Sequence, residues 1–131
     1  MAIIGRHPRE FHVGDIILIC GTVKKVSRVD QTHLGTYQGD KLELWSYKGE
    51  IHHILYEDYA ELEWLGFEKS SENSIILKWG NNSWIEWYEG GEFEFYHQGR
   101  SYDGDSIFTL GDLQQEFFNW YKEEIPFHAS L

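Results

Sequence analysis

The sequence predicts an α+β fold: a small N-terminal antiparallel β-barrel-like (SH3-like) sheet, then a helix, a three-stranded antiparallel meander and a C-terminal helix. Three observations carry this. Apolar β-branched residues bounded by glycine crowd the stretch from Val13 to Val26. Between Ser74 and His97, clusters of Gly, Asn and Glu separate three alternating segments. Apolar residues then recur at helical spacing from Leu110 to Tyr121, and Pro126 blocks any continuation.

Each element follows from its residues. Val13-Gly14-Asp15 leads into the apolar run Ile16-Ile17-Leu18-Ile19-Cys20, and Gly21 turns the chain into Thr22-Val23-Lys24-Lys25-Val26, a tight hairpin. Cys20, closing that run, reads as a buried and inert thiol. Residues 41–47 and 50–55 read as strands parted by Lys48-Gly49, which completes the curled sheet. Asp58 is the expected N-cap of a short helix, with Glu61 at capping-box spacing. Gly66 takes the left-handed C′ conformation there, Phe67 folds back on Leu62 in a Schellman motif, and Tyr59, Leu62 and Leu65 face inward. The meander comprises residues 74–79, 84–88 and 92–97. In its last strand Phe93, Phe95 and His97 share one face, and Glu92, Glu94 and Tyr96 share the wet one. Thr109 and Asp112 form a capping box for the closing helix, whose stripe is Leu110, Leu113, Phe117, Trp120 and Tyr121.

With 131 residues the chain has the length of one domain, enough to bury roughly two-thirds of its unfolded surface. Charge divides it unevenly. Residues 1–48 carry 7 basic and 5 acidic side chains, whereas residues 49–131 carry 4 basic and 17 acidic ones. We read two subregions sharing one core within a single domain 1–131: a near-neutral β-rich part, 1–55, and a strongly acidic α+β part, 56–131. The net charge of −11 argues against direct binding of nucleic acid or of an anionic membrane, and favours a basic partner. A lone Cys20 excludes an intrachain disulfide framework and a cysteine-rich zinc site, so a reducing, cytoplasmic setting is expected. The longest apolar run, 16–20, is far shorter than the roughly 20 residues of a spanning helix. The opening Met-Ala-Ile-Ile-Gly-Arg lacks the apolar region of an export signal.

Reactive motifs are missing from the sequence. Of the seven histidines only His52-His53 are adjacent, and on a strand they point to opposite faces and cannot chelate one metal. His97, in line with Phe93 and Phe95, is the one expected to be buried. Asp103-Gly104-Asp105-Ser106 opens like a calcium loop but runs into Ile107-Phe108-Thr109, so it reads as an acidic turn. There is no glycine-rich phosphate loop and no G-x-S-x-G elbow. No catalytic, cofactor-binding or metal residues are assigned, and no enzymatic activity is expected.

What stands out is the acidic, aromatic second half. Its glutamates either solvate an aromatic core or imitate a phosphate backbone and dock on a basic surface, with exposed aromatics as anchors. The residues expected to bind a partner are Glu86, Glu89, Glu92, Glu94, Trp84, Trp87 and Tyr96. Trp84 and Trp87, an odd spacing apart, point to opposite sides of their strand.

The segments Ile54 to Lys69 (Ile-Leu-Tyr-Glu-Asp-Tyr-Ala-Glu-Leu-Glu-Trp-Leu-Gly-Phe-Glu-Lys) and Phe108 to Phe118 (Phe-Thr-Leu-Gly-Asp-Leu-Gln-Gln-Glu-Phe-Phe), with Val13-Gly14-Asp15-Ile16, carry a resemblance. The chain resembles, over residues 11–126, small proteins of no assigned activity common in Bacteroidetes genomes and in their phages and prophages. It departs from their pattern at Gly111, where a histidine is usual, and at Lys122-Glu123-Glu124-Ile125, where they carry Gly-Glu-Glu-Leu. The matched residues belong to core and caps, so they specify a fold rather than a reaction. The resemblance implies a phage or mobile-element accessory protein.

The expected function is therefore binding of a host protein through the acidic aromatic face, which would inhibit a nucleic-acid-binding or defence factor. One alternative is a protein that binds, sequesters or cleaves a small molecule such as a signalling nucleotide. That reading requires the basic residues Arg6, Arg9, Lys24, Lys25 and Arg28 to converge on one concavity. Another is a minor virion or assembly component. Self-association into a homo-oligomer is left open by the sequence.

Overall fold

A computed structural model describes residues 10–129 and Leu131. It is α+β and mostly strand, with eleven strands in three antiparallel sheets and two helices among the described residues. The chain divides into a unit reaching Ile54 and a unit beginning at Leu55, one residue from the expected change in composition.

The first unit holds β1 (Ile16–Ile19), β2 (Thr22–Lys25), β3 (Arg28–Val29), β4 (His33–Gln38), β5 (Lys41–Ser46) and β6 (Ile51–His53). The expected hairpin is present, with Ile19 opposite Thr22 and a two-residue loop. Both loop residues, Cys20 (φ 51°) and Gly21 (φ 79°), are left-handed, the geometry whose twist matches that of the flanking strands. Cys20 thus lies in the turn, and its thiol is exposed rather than buried. The strands form two three-stranded sheets, β2-β1-β6 and β3-β4-β5. Here the SH3-like barrel gives way to a different arrangement. Residues 41–47 and 50–55 do supply strands, but β5 pairs with β4 while β6 returns to β1, so Lys48-Gly49 joins two sheets and neither closes. Phe11, Ile17, Ile19, Val26, Leu34, Tyr47 and Ile51 form the core of this unit.

The second unit contains α1 (Tyr59–Leu65), β7 (Glu68–Ser71), β8 (Ser74–Trp79), β9 (Ser83–Tyr88), β10 (Phe93–His97), β11 (Arg100–Gly104) and α2 (Leu110–Tyr121). Gly66, at φ 117°, ends α1, and the Schellman pair is made as the sequence predicts. Gly66 N–H donates to Glu63 and Phe67 N–H to Leu62, both at 3.0 Å. Asp58 occupies the N-cap position without capping; its Oδ2 instead accepts from Leu55 N–H at 2.8 Å. At α2, Thr109 Oγ1 accepts from Asp112 N–H at 3.0 Å, the expected cap.

The meander has five strands, ordered β11-β10-β9-β8-β7. Half of the segment expected to be an acidic turn is strand, because Asp103 and Gly104 complete β11 while Asp105 and Ser106 lie beyond it. Gly104 lies opposite Phe93, and a Cβ there would come within 2.8 Å of that ring, so glycine is required by close packing. One face of the sheet is the core face. Ile75, Leu77, Ile85, Trp87, Phe93 and Phe95 are buried on it, against Leu62 and Leu65 of α1 and Leu110, Leu113 and Phe117 of α2. Ring contacts join the layers: Phe117 lies 5.4 Å from Phe95 and 5.7 Å from Trp79, and Tyr56 lies 5.8 Å from Trp87.

Candidate functional site

The pleat turns the remaining side chains of β8, β9, β10 and β11 to the face opposite the helices, and the register sets them in rows. Glu86 lies opposite both Ile76 and Glu94, and Glu94 opposite Asp103. The next row reads Lys78, Trp84, Tyr96, Ser101. Three carboxylates therefore stand side by side across three strands. Directly opposed like charges repel, so this row is maintained against a local cost. Trp84 and Tyr96 stack beside it, their rings 6.1 Å apart and 20° from parallel. Glu86 is fixed in place: the buried Ser74 hydroxyl donates to its Oε2 at 2.8 Å, and Tyr88 bonds to its side chain. Burial pushes the Tyr88 hydroxyl above its ordinary pKa of 10.0, reinforced by Glu86, Glu94 and Glu92.

Of the seven residues expected to bind a partner, the structure brings four onto this face: Glu86, Glu94, Trp84 and Tyr96. Glu89 and Glu92 are exposed in the connection between β9 and β10, at its margin. Trp87 does not belong. It is fully buried on the core face, and its indole N–H donates to the Ile107 carbonyl at 3.0 Å. Among the described residues, none of Glu86, Glu89, Glu92, Glu94 and Asp103 pairs with a Lys or Arg; ion pairs join His12 to Asp15, Lys24 to Glu43, Arg28 to Asp30 and His97 to Glu123.

Sequence reasoning missed the residues around the last strand. A concavity of about 410 Å³ is lined by Trp84, Glu94, Ser101, Tyr102, Asp103 and Trp120, with Phe95. Ser101 and Asp103 belong to the acidic face, whereas Tyr102 and Phe95 face the helices. The concavity lies beside β11, an edge strand of the sheet. Trp120 closes one flank, 43% exposed, stacked on Tyr102 at 4.1 Å and held by its N–H to Glu116 Oε2 at 3.1 Å. The helical stripe places Trp120 in the core, whereas the indole is exposed and stacks on a residue of the edge strand. The edge exists only because Asp103 and Gly104 are strand and not turn.

His97, the histidine expected to be buried, is only partly so; the buried histidine is His53, stacked on Phe11 at 4.5 Å. His97 Nδ1 lies 2.7 Å from Ser83 Oγ and its Nε2 3.0 Å from Glu123 Oε1. Gln98 also donates to Glu123. With Trp79, Phe117 and Tyr121 packed around the imidazole, this chain of bonds fastens the segment after α2 to the sheet. Two of the basic residues required by the small-molecule reading have acidic partners. Lys24 lies 3.7 Å from Glu43 and above the Trp45 ring, and Arg28 pairs with Asp30 at 2.9 Å. Arg6 and Arg9 lie outside the described residues. Among the described residues no group of three metal-ligating side chains converges, and no helix is long and apolar enough to cross a membrane. Comparison of the chain with protein-family models, with curated proteins and with solved structures gives no match.

Proposed function

We propose that the protein is a non-enzymatic accessory factor that binds a basic surface of another protein through the acidic, aromatic face of its second unit. One observation carries this: Glu86, Glu94 and Asp103 are aligned across three strands beside the Trp84–Tyr96 stack, and among the described residues none of the three forms an ion pair with a Lys or Arg. An exposed row of like charges is costly to keep, and its cost is relieved when a cationic partner covers it. The stacked Trp84 and Tyr96 supply the kind of rigid aromatic anchor that dominates interface energies. The resemblance to phage-borne proteins makes a host protein the partner we favour, with inhibition of a nucleic-acid-binding or defence factor as the consequence. A surface that a basic nucleic-acid groove accepts in place of phosphates is the chemistry such inhibition needs.

The test is capture of partners from host lysate by the tagged protein, beside a Glu89→Lys, Glu92→Lys, Glu94→Lys variant that leaves the anchored Glu86 intact. One stoichiometric basic protein, lost in the variant and lost as salt rises, is the expected result. Equal capture by both proteins contradicts the placement of the site.

A further inference from the structure

We infer that the partner engages the second unit by strand addition: an extended segment with alternating basic and apolar side chains pairs with the outer edge of β11. This rests on the acidic-face reading above and specifies how that face is used. The two edges of the five-stranded sheet differ. At β7 the register slips between Lys69 and Ser71, a bulge that spoils the edge as a template. β11 instead pairs with β10 in unbroken register from Arg100 to Gly104, with no bulge, Lys or Pro. Its hairpin loop is Gln98-Gly99, with φ of 55° and 72°, which makes His97 and Arg100 the hydrogen-bonded pair next to the loop. Backbone groups then alternate, and those of Ser101 and Asp103 turn away from β10. Among the described residues no strand meets them.

The concavity beside this edge sets the occupant. A strand added here continues the pleat, so its side chains fall alternately beside Asp103 and Glu94 on one face and beside Tyr102 and Trp120 on the other. The first set of positions calls for Lys or Arg, the second for apolar groups that cover the exposed indole of Trp120. A second copy of the chain is disfavoured by a net charge of −11.

The experiment uses two short peptides of identical composition, one alternating lysine with valine, the other with all lysines before all valines. Both are titrated into the intact protein while amide exchange is followed residue by residue. The alternating peptide should bind more tightly and slow exchange at the Ser101 and Asp103 amides. Ser101→Pro removes one outward N–H without touching the ladder, and should weaken that peptide about tenfold. Trp120→Ala, at an exposed position, should weaken it too, and serves if the proline variant does not fold. Equal binding of the two peptides, with both lost in the Glu89→Lys, Glu92→Lys, Glu94→Lys variant, overturns strand addition and leaves the acidic face standing. Binding that neither Ser101→Pro nor the charge variant alters overturns both. A dimer in sedimentation that Ser101→Pro dissolves also overturns the proposal, because the edge then serves a second copy.

Discussion

Trp84 and Trp87 occupy one strand three residues apart, and the pleat gives them opposite duties. Trp87 is enclosed by the core and hydrogen-bonded, so Trp87→Ala should cost about 3–5 kcal/mol of stability, read by denaturant unfolding. Trp84 faces out and loses chiefly its stack on Tyr96, so Trp84→Ala should cost only about 1 kcal/mol while removing the anchor of the binding face. Opposite effects on stability and on partner capture would confirm the division. The tyrosines make a second prediction. Burial raises the pKa of Tyr47, Tyr56, Tyr88 and Tyr121 above 10.0, so each is held protonated by the fold. The stability this lends is fully present below pH 10.0 and is lost as pH rises through the higher folded-state values. Thermal melts should therefore weaken above pH 10.0, and Tyr47→Phe should blunt part of that loss. The Tyr47 hydroxyl is buried without a hydrogen-bond partner, so its removal at neutral pH should be neutral or stabilising.

At the scale of elements, two of the three caps legible in the sequence are made, Gly66 at the end of α1 and Thr109 at the start of α2, while Asp58 turns back to Leu55 instead. Gly66 ends α1 at a positive φ, and a Cβ there would meet the His128 ring at 2.5 Å and Leu77 at 2.9 Å. Gly66→Ala should therefore destabilise the second unit by several kcal/mol, of order 2–4, from strain and clash together. Thr109→Ala should cost about 1 kcal/mol through loss of the α2 cap, seen as a lower melting temperature. The three central strands and α2 were legible because their apolar period is unbroken. β3, β4, β7 and β11 were not, since Arg28-Val29 is too short to show a period, and β7 is exposed throughout. β11 alternates among polar residues and depends on the Phe93 ring over Gly104, a contact no local pattern announces. Pairing was the other hidden quantity. Residues 41–47 and 50–55 have strand character, but which strand each joins is decided by β1 and β4, far away in the chain. For the same reason four residues of the binding face were readable from alternation, while Asp103 and Trp120 emerged only when β11 was in place.

For the molecule as a whole, the decisive property is the segregation of charge. Residues 49–131 carry 17 acidic and 4 basic side chains, and the sheet arranges part of that excess as an aligned row rather than a diffuse halo. A diffuse halo promotes solubility; a row beside stacked aromatics adds a defined geometry to which a partner's cations can conform. Contacts of this kind fade as the screening length shrinks from about 10 Å at 0.1 M salt to about 3 Å at 1 M. The most direct measurement of the account is the affinity of the captured partner for the intact protein and for the Glu89→Lys, Glu92→Lys, Glu94→Lys variant across that salt range. Tight, strongly salt-dependent binding by the intact protein and at least a tenfold loss, roughly 1.4 kcal/mol, in the variant are expected. Equal affinities with a flat salt dependence would contradict this and reduce the acidic row to a solubilising surface.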